Sequence, residues 1–474
     1  LLFCHLLDRV DREREAKMVR YLRDSQGADG GWSLYEGGPA NISATIKAYF
    51  AMKVAGVAPD DPAMVAARGR IREWGGPPEA NVFTKILLAL FGEYDWAGIP
   101  AMPVEIMLLP RWSYFNLLEV SYWSRTVIVP LLILMDVKPV KRLAEHCRLD
   151  ELWVVPREQA RLRSHRVPRP FSTRTFLWKN FFIGVDDCLK GWERLGPRPF
   201  RARAVEATCR WLEERLAVPG GLGGIFPAMT NAVLALRALG YAEDHPLIRG
   251  QLKEIENLGV ETAQSLHYQP CVSPVWDTAL AANALVESGL PADHPQLQRA
   301  AEWMMNEQIT VPGDWQVKRP HVPPGGWPFQ YANDFYPDLD DTAMVLMALQ
   351  KVQGLDPERK QRSIGRGVAW FLGMQGSDGG WGSFDADNDR LVLNNIPFAD
   401  HGALLDPSTE DLTGRALELL GTLGFTPTYA AARRGIDFLR RAQREDGSWY
   451  GRWGANHIYG TWSVLRGLRA IGED

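Results

Sequence analysis

Asp338, Asp340 and Asp341 stand within four residues of one another and run straight into Met344-Val345-Leu346-Met347-Ala348-Leu349. Three carboxylates at the edge of an apolar run admit two readings. The first is a helix start: Pro337 fixes φ, Asp338 caps, Asp341 takes the capping-box position, and acids favour the positive end of the macrodipole. The second is a Brønsted acid, because crowded, poorly hydrated carboxylates cannot all ionise, so one keeps a proton that it can deliver to a weak base. Both can hold together. Asp338 and Asp341 share a helix face at i, i+3, whereas Asp340 points elsewhere. Asp340 is therefore the candidate proton donor, with its neighbours raising its pKa or ordering its hydrogen bonds. A helix N-terminus lowers carboxylate pKa values, so burial or like charge has to overcome it.

The elements that must position these acids are signalled by a recurring punctuation. Gln26 to Trp32, Gln375 to Trp381 and Gln443 to Trp449 repeat one Gln-to-Trp spacing around an Asp-Gly turn, and Gln308 to Trp315 is a looser copy. Each follows a helical pattern that ends in the Gln and presents a Trp before the next helical stretch. The Gln amide can satisfy orphaned helix-end groups and the indole can stack over them, which stitches a helix pair. Between these signals the periodicity is helical, as in Ala279 to Leu285 and Leu417 to Leu423, and alternating strand patterns are scarce. Repeated helix pairs that close on themselves predict an all-α fold of α/α barrels whose inner helices surround a cavity.

Bulk properties narrow the function. A chain of 474 residues can bury a large core and suggests two or more domains. With 53 Lys and Arg against 57 Asp and Glu, the net charge of −4 makes no overall case for nucleic acid. Cys4, Cys147, Cys188, Cys209 and Cys271 are scattered, odd in number and without CxxC spacing, which argues against a disulfide framework or a zinc site. The longest apolar run, around Val127 to Met135, contains Pro130 and falls well short of the roughly 20 residues that a spanning helix needs. Leu1 to Leu7 reads as the middle of a helix, and the apolar pattern that begins near Trp462 stops at Asp474, so truncation at both ends is expected.

Asp338-Leu339-Asp340-Asp341-Thr342-Ala343 together with the Gln-Trp repeats resembles the squalene-hopene cyclase family of class II triterpene cyclases. Ser273 to Thr278, Ile309 to Trp315, Asn395 to Phe398, Asp406 to Asp411 and Gly451 to Gly454 resemble further family blocks in the expected order. The likeness runs end to end and is weakest between about Glu145 and Arg201. It implies two domains, an inserted α/α barrel over 1–270 and a catalytic α6-α6 barrel over 271–474. It also implies cyclisation of squalene to hopene or hopanol, with no cofactor and no metal: one proton starts the cascade and carbocations migrate along a folded polyene. By family pattern Asp340 gives the proton, flanked by Asp338 and Asp341, and Asp411, Arg415 and Tyr459 belong to the network that supports the acid. Arg415 is expected to hold the other carboxylates ionised and to orient the donor. Trp123, Trp276, Phe329 and Trp453 are implied to line the cavity, with Ile225, Pro227, Phe384 and Phe398 as further substrate contacts; desolvated cation-π attraction is worth about 2 kcal/mol or more.

Departures from the family pattern accompany the likeness. Lys47 stands where members commonly carry an acid, Leu222 replaces a repeat Trp, and Phe226 replaces a polar residue that helps hold water near the last cation, which puts the hopanol share in doubt. Within the poorly matched region, Arg157, Arg161, Arg163, Arg166, Arg169 and Arg174 precede the aromatic patch Phe176 to Ile183. A basic loop before a core helix is one reading. Monotopic docking of residues about 155–190 on a lipid surface is the other, with Arg drawing anionic lipid and the rings entering the acyl boundary. The resemblance favours the second, as a membrane-surface enzyme on the cytoplasmic face of a bacterial membrane, with a homodimer as the candidate assembly. Competing assignments are an oxidosqualene cyclase, a diterpene cyclase acting on a diphosphate, and a degenerate lipid-binding homologue. The triple-Asp motif and the lack of a DDxxD sequence oppose the first two, and the intact acid motif opposes the third.

Overall fold

The computed structural model describes residues 1–160, 162 and 173–473, with the side chains of the helix Thr173–Leu195 described from 177 onward. The chain is all-α; the one sheet among the described residues is a hairpin pairing Gly259–Glu261 with Leu266–Tyr268. In the C-terminal half the helices alternate between two layers. Pro274–Glu287, Leu339–Lys351, Glu410–Thr422 and Asn456–Ile471 pack on one another in sequence as an inner row, while Pro295–Asn306, Pro357–Gly373 and Ala430–Ala442 lie outside them. Burial follows the layers. Of the inner Leu339–Lys351, every residue from Asp341 to Leu349 is buried, as a helix enclosed on all sides requires, whereas Ala430–Ala442 buries only a stripe through Ala432, Gly435, Ile436 and Leu439. In the N-terminal half Tyr122–Val137 packs on Phe226–Ala238; the former carries the apolar run around Pro130 and buries it.

Two cores result, one drawn from residues 2–258 and one from 275–471. The first also takes in Leu393, Phe398, Ala399, Leu404 and Leu405, so a segment of the C-terminal half inserts its apolar side chains into the N-terminal one.

The Gln-Trp repeats do more than turn the chain. Gln26 donates to the Gly30 and Ala63 carbonyls, and Gln375 to those of Gly379 and Ala431, so each amide links the end of one outer helix to the first turn of the next. The indole N–H of Trp32, Trp381 and Trp449 donates to the carbonyl of Leu22, Phe371 and Leu439, a hydrogen bond to the preceding helix where stacking over the Gln was expected. A Thr hydroxyl on the following inner helix accepts from each Trp backbone N–H: Thr45, Thr413 and Thr461. The looser copy needs correction. Gln308 pairs with the Gly325 and Ser363 carbonyls, and the ring that completes the stitch is Trp327, through Met304 O (2.6 Å) and Thr342 Oγ1 (2.9 Å), rather than Trp315. An insertion displaces the Trp along the sequence while the helix ends that it joins keep their places.

Candidate active site

The acid motif begins where the chain leaves that stitch. The Asp338 backbone N–H donates to the Trp327 carbonyl (2.7 Å), and its Oδ1 accepts from the backbone N–H groups of Asp340 (2.6 Å) and Asp341 (3.1 Å). The N-cap therefore forms, but the reciprocal half of a capping box does not, because the Asp338 N–H is already committed. Asp341 is 1% exposed and its Oδ1 has no hydrogen-bond partner. Asp340 turns to the neighbouring inner helix, where Arg415 Nε donates to its Oδ1 at 3.1 Å; 13% of its side chain stays accessible.

All three carboxyls are pushed above the usual range, chiefly by burial. At Asp338 the Asp340 charge adds to this while the capped amides oppose it; Asp341 feels Asp338, Asp340 and Asp277. Asp340 is the one that a guanidinium opposes. Burial thus outweighs the helix N-terminus, the conflict that the sequence left standing.

Arg415 does not reach Asp338 or Asp341, contrary to the expectation that it holds them ionised. Its helix, Glu410–Thr422, presents it to Asp340, and its other nitrogens go to Glu418 Oε2 (3.0 Å) and the Tyr459 hydroxyl (3.5 Å). Burial and the Asp340 charge push that hydroxyl up to about 12. Arg466 completes the group at 2.5 Å from Glu418 Oε1, and both arginines lie 5.4 Å from the Trp462 ring. Asp411 is placed differently again: it accepts from Thr409 Oγ1 (2.6 Å) and from the backbone N–H of Trp453 (3.0 Å), so it orders an aromatic residue rather than Arg415. Backbone contact makes this grouping possible. A Cβ on Gly467 would fall 2.1 Å from the Gly414 carbonyl oxygen, so only glycine lets Asn456–Ile471 approach closely enough for Tyr459 to meet Arg415.

Aromatic residues from both halves gather beside the acids. Trp123 meets Phe384 at 5.8 Å and Trp453 at 5.5 Å, both edge-on, and its indole N–H donates to the Ala403 carbonyl (2.7 Å). Arg452 lies 5.4 Å from Trp123 and 5.7 Å from Trp453. Sequence reasoning missed Tyr122 and Tyr336: the Tyr122 ring lies against Phe384 at 4.1 Å and against Tyr336 at 4.5 Å, both tilted. It also missed the buried ions behind them: Arg125 pairs with Asp385 and Asp314, and Arg215 and the Tyr336 hydroxyl also reach Asp314. The adjacency of Tyr122 to Trp123, and of Tyr336 to the acid motif, was the available signal. The remaining candidates are not joined to this cluster by ring contacts. Phe398 sits in the first core on Phe83 (5.4 Å); Ile225 and Pro227 open the helix Phe226–Ala238; Trp276 is half-buried at the start of Pro274–Glu287; Phe329 is half-buried ahead of the acid motif.

The basic and aromatic segment divides. Arg161, Arg163, Arg166 and Arg169 and the side chains of Arg174 and Phe176 lie outside the described residues, while Arg157 is engaged with Glu93 and faces Trp153. Phe181 is exposed, but Phe182 is buried against Phe115 at 5.9 Å, so its ring belongs to the protein interior. A second stretch that the sequence reading passed over adds Leu109, Trp112, Tyr114 and Phe115 to the exposed patch, with Trp112 87% exposed. Among the described residues no helix is long and apolar enough to cross a membrane.

Known proteins match this chain throughout. A squalene-hopene cyclase N-terminal domain model matches residues 1–264, and a squalene-hopene cyclase C-terminal domain model matches 272–474. A squalene-hopene cyclase of Schizosaccharomyces japonicus is 45% identical over 481 aligned residues, covering 100% of this chain and 72% of that protein. One of Zymomonas mobilis is 45% identical over 99% of the chain and 71% of its own length, and one of Alicyclobacillus acidocaldarius is 42% identical over 100% and 73%. With both domain models in order and this identity along the whole chain, the protein belongs to the squalene-hopene cyclase family.

Proposed function

We propose that the protein cyclises squalene to hopene and hopanol by proton-initiated polycyclisation, with Asp340 as the donor. The observation that carries this reading is the placement of three buried carboxyls at one helix start, of which Asp340 is the more accessible and is alone paired with a guanidinium. Burial keeps the proton on the acid until it is used. Arg415 occupies Oδ1, which leaves Oδ2 to carry the proton towards a terminal alkene carbon of squalene. The C–H bond forms as the O–H bond breaks, a tertiary cation appears on the substrate, and the carboxylate left behind is stabilised by Arg415. Ring closures follow as successive alkenes attack the cation, and the last cation loses a proton or takes up water. Trp123, Phe384 and Trp453 stabilise cations on that path through their ring faces. We assign the exposed Leu109, Trp112, Tyr114, Phe115, Leu177, Trp178 and Phe181 to a lipid surface, the source of so apolar a substrate.

Product analysis with squalene, oxidosqualene and geranylgeranyl diphosphate tests the assignment. Asp340→Asn matches the carboxyl in shape but has no acidic proton, so squalene turnover should fall by about three or more orders of magnitude with the circular dichroism unchanged. Near-normal turnover in the folded variant, or wild-type consumption of the diphosphate in place of squalene, would remove this reading.

A further inference from the structure

Asp406 is a carboxylate that the cyclisation scheme leaves unused. It is fully buried. Its Oδ1 accepts from the Ser383 N–H (3.0 Å), and its Oδ2 from the N–H groups of Phe384 (2.7 Å) and Asp385 (3.0 Å). Its own N–H donates to Asn388 Oδ1 at 3.2 Å. Three consecutive amides wrapped round one carboxylate fix the peptide that carries Phe384, since in a buried setting each lost partner strands a donor.

The same turn is tied at two further points. The Leu339 N–H, in the first turn of the acid-bearing helix, donates to the Ser383 carbonyl at 2.8 Å. Arg125, from the N-terminal half, takes both Asp385 oxygens at 3.0 Å. The Phe384 ring then rests on Tyr122 and Trp123. Acid helix, turn and aromatic cluster are thereby held in one frame, with Asp406 at its centre.

We infer that Asp406 is a positioning residue for the cyclisation, holding the Phe384 ring in register with Asp340 and so deciding how far a cascade runs before the cation is quenched. The inference rests on the cyclase reading and on Phe384 facing the substrate. Asp406 itself touches no substrate; it acts through the backbone of another residue.

The experiment compares products from squalene, by gas chromatography and mass spectrometry, for the wild type, Asp406→Asn, Phe384→Ala, the double variant and Asn388→Ala. Asp406→Asn keeps the shape but turns an amide NH2 towards backbone donors, and Asn388→Ala removes the acceptor of the Asp406 backbone N–H, loosening the same residue at its main chain. Partly cyclised products should rise about tenfold as a share of the total in Asp406→Asn. Their pattern should be that of Phe384→Ala, and the double variant should give no more of them than Phe384→Ala alone. Asn388→Ala should move the share in the same direction by less. Because a product share does not depend on how much enzyme has folded, poor accumulation leaves the measurement intact; if Asp406→Asn forms nothing, Asn388→Ala decides. A wild-type product pattern in either variant, or full additivity with Phe384→Ala, would reduce Asp406 to a support of the fold. Absence of squalene products from the wild type itself would instead sink the cyclase reading.

Discussion

Replacing Arg415 by Gln isolates what a guanidinium contributes beside the proposed proton donor. Arg415 Nε lies 3.1 Å from Asp340 Oδ1, with 4% and 13% of the two side chains accessible. At an effective dielectric of about 20, unit charges at that separation attract by roughly 5 kcal/mol. Desolvation of both groups cancels much of this, and charge-assisted hydrogen bonds net about 1.5–3 kcal/mol. The attraction exists only once Asp340 is charged, that is, as its proton leaves. With about half of that charge developed in the transition state, about 0.8–1.5 kcal/mol of stabilisation is lost and kcat falls roughly 4- to 13-fold. The pH profile moves the other way. Burial already holds the Asp340 carboxyl above the usual range and Arg415 pulls it down, so removing Arg415 raises it further. In the proposed mechanism the protonated form is the competent one, so the alkaline limb of kcat/KM should shift to higher pH while the plateau drops. Squalene turnover across a buffer series measures both, and the melting temperature checks the fold, in which Glu418 still has Arg466 as a partner. An unchanged plateau, or a limb that moves down in a folded variant, would refute the reasoning.

The acid cluster should also cost stability. The folded-state carboxyl of Asp341 lies well above its unfolded range through burial and the neighbouring charges, so stability is complete below the unfolded value of about 4 and is lost as pH rises through the folded value. Asp341→Asn should therefore raise the melting temperature at neutral pH and leave it unaltered in acid; equal shifts at both would contradict the linkage. In the displaced stitch, Trp327→Phe should destabilise by about 1 kcal/mol more than Trp315→Phe in chemical denaturation, because the indole N–H of Trp327 is bonded to Met304 and that of Trp315 is unpaired. At the exposed patch, Trp112→Ser with Phe181→Ser should shift the protein from anionic liposomes to supernatant without a change in melting temperature, whereas Phe182→Ser should lower the melting temperature. Unchanged partitioning of the double variant would return that surface to ordinary exposure.

What the sequence determined by itself is what local chemistry writes down. The helical period, the Gln-to-Trp spacing of three stitches and the start of a helix at Asp338 all depend on residues close together in the chain, and so did the choice of Asp340 as the acid that points apart from its neighbours. Motif order along the chain was enough to place it in its family. The structure alone decided which partner each charge meets. Arg415 reaches Asp340 because of the way Glu410–Thr422 packs on Leu339–Lys351, and Tyr459 reaches Arg415 because Gly414 and Gly467 let two backbones touch. Asp411 and Asp406, five residues apart in one block, hold the backbones of Trp453 and Phe384 through bonds that span 42 and 22 residues. Trp327 took the place expected of Trp315 because an indole is chosen by the helix end that it can reach, whatever the length of the insertion before it. Phe182 turned inward because a loop more than sixty residues upstream supplied Phe115 to cover it. Contacts of this kind are set by how helices pack in three dimensions, and no period or spacing in the chain encodes them locally.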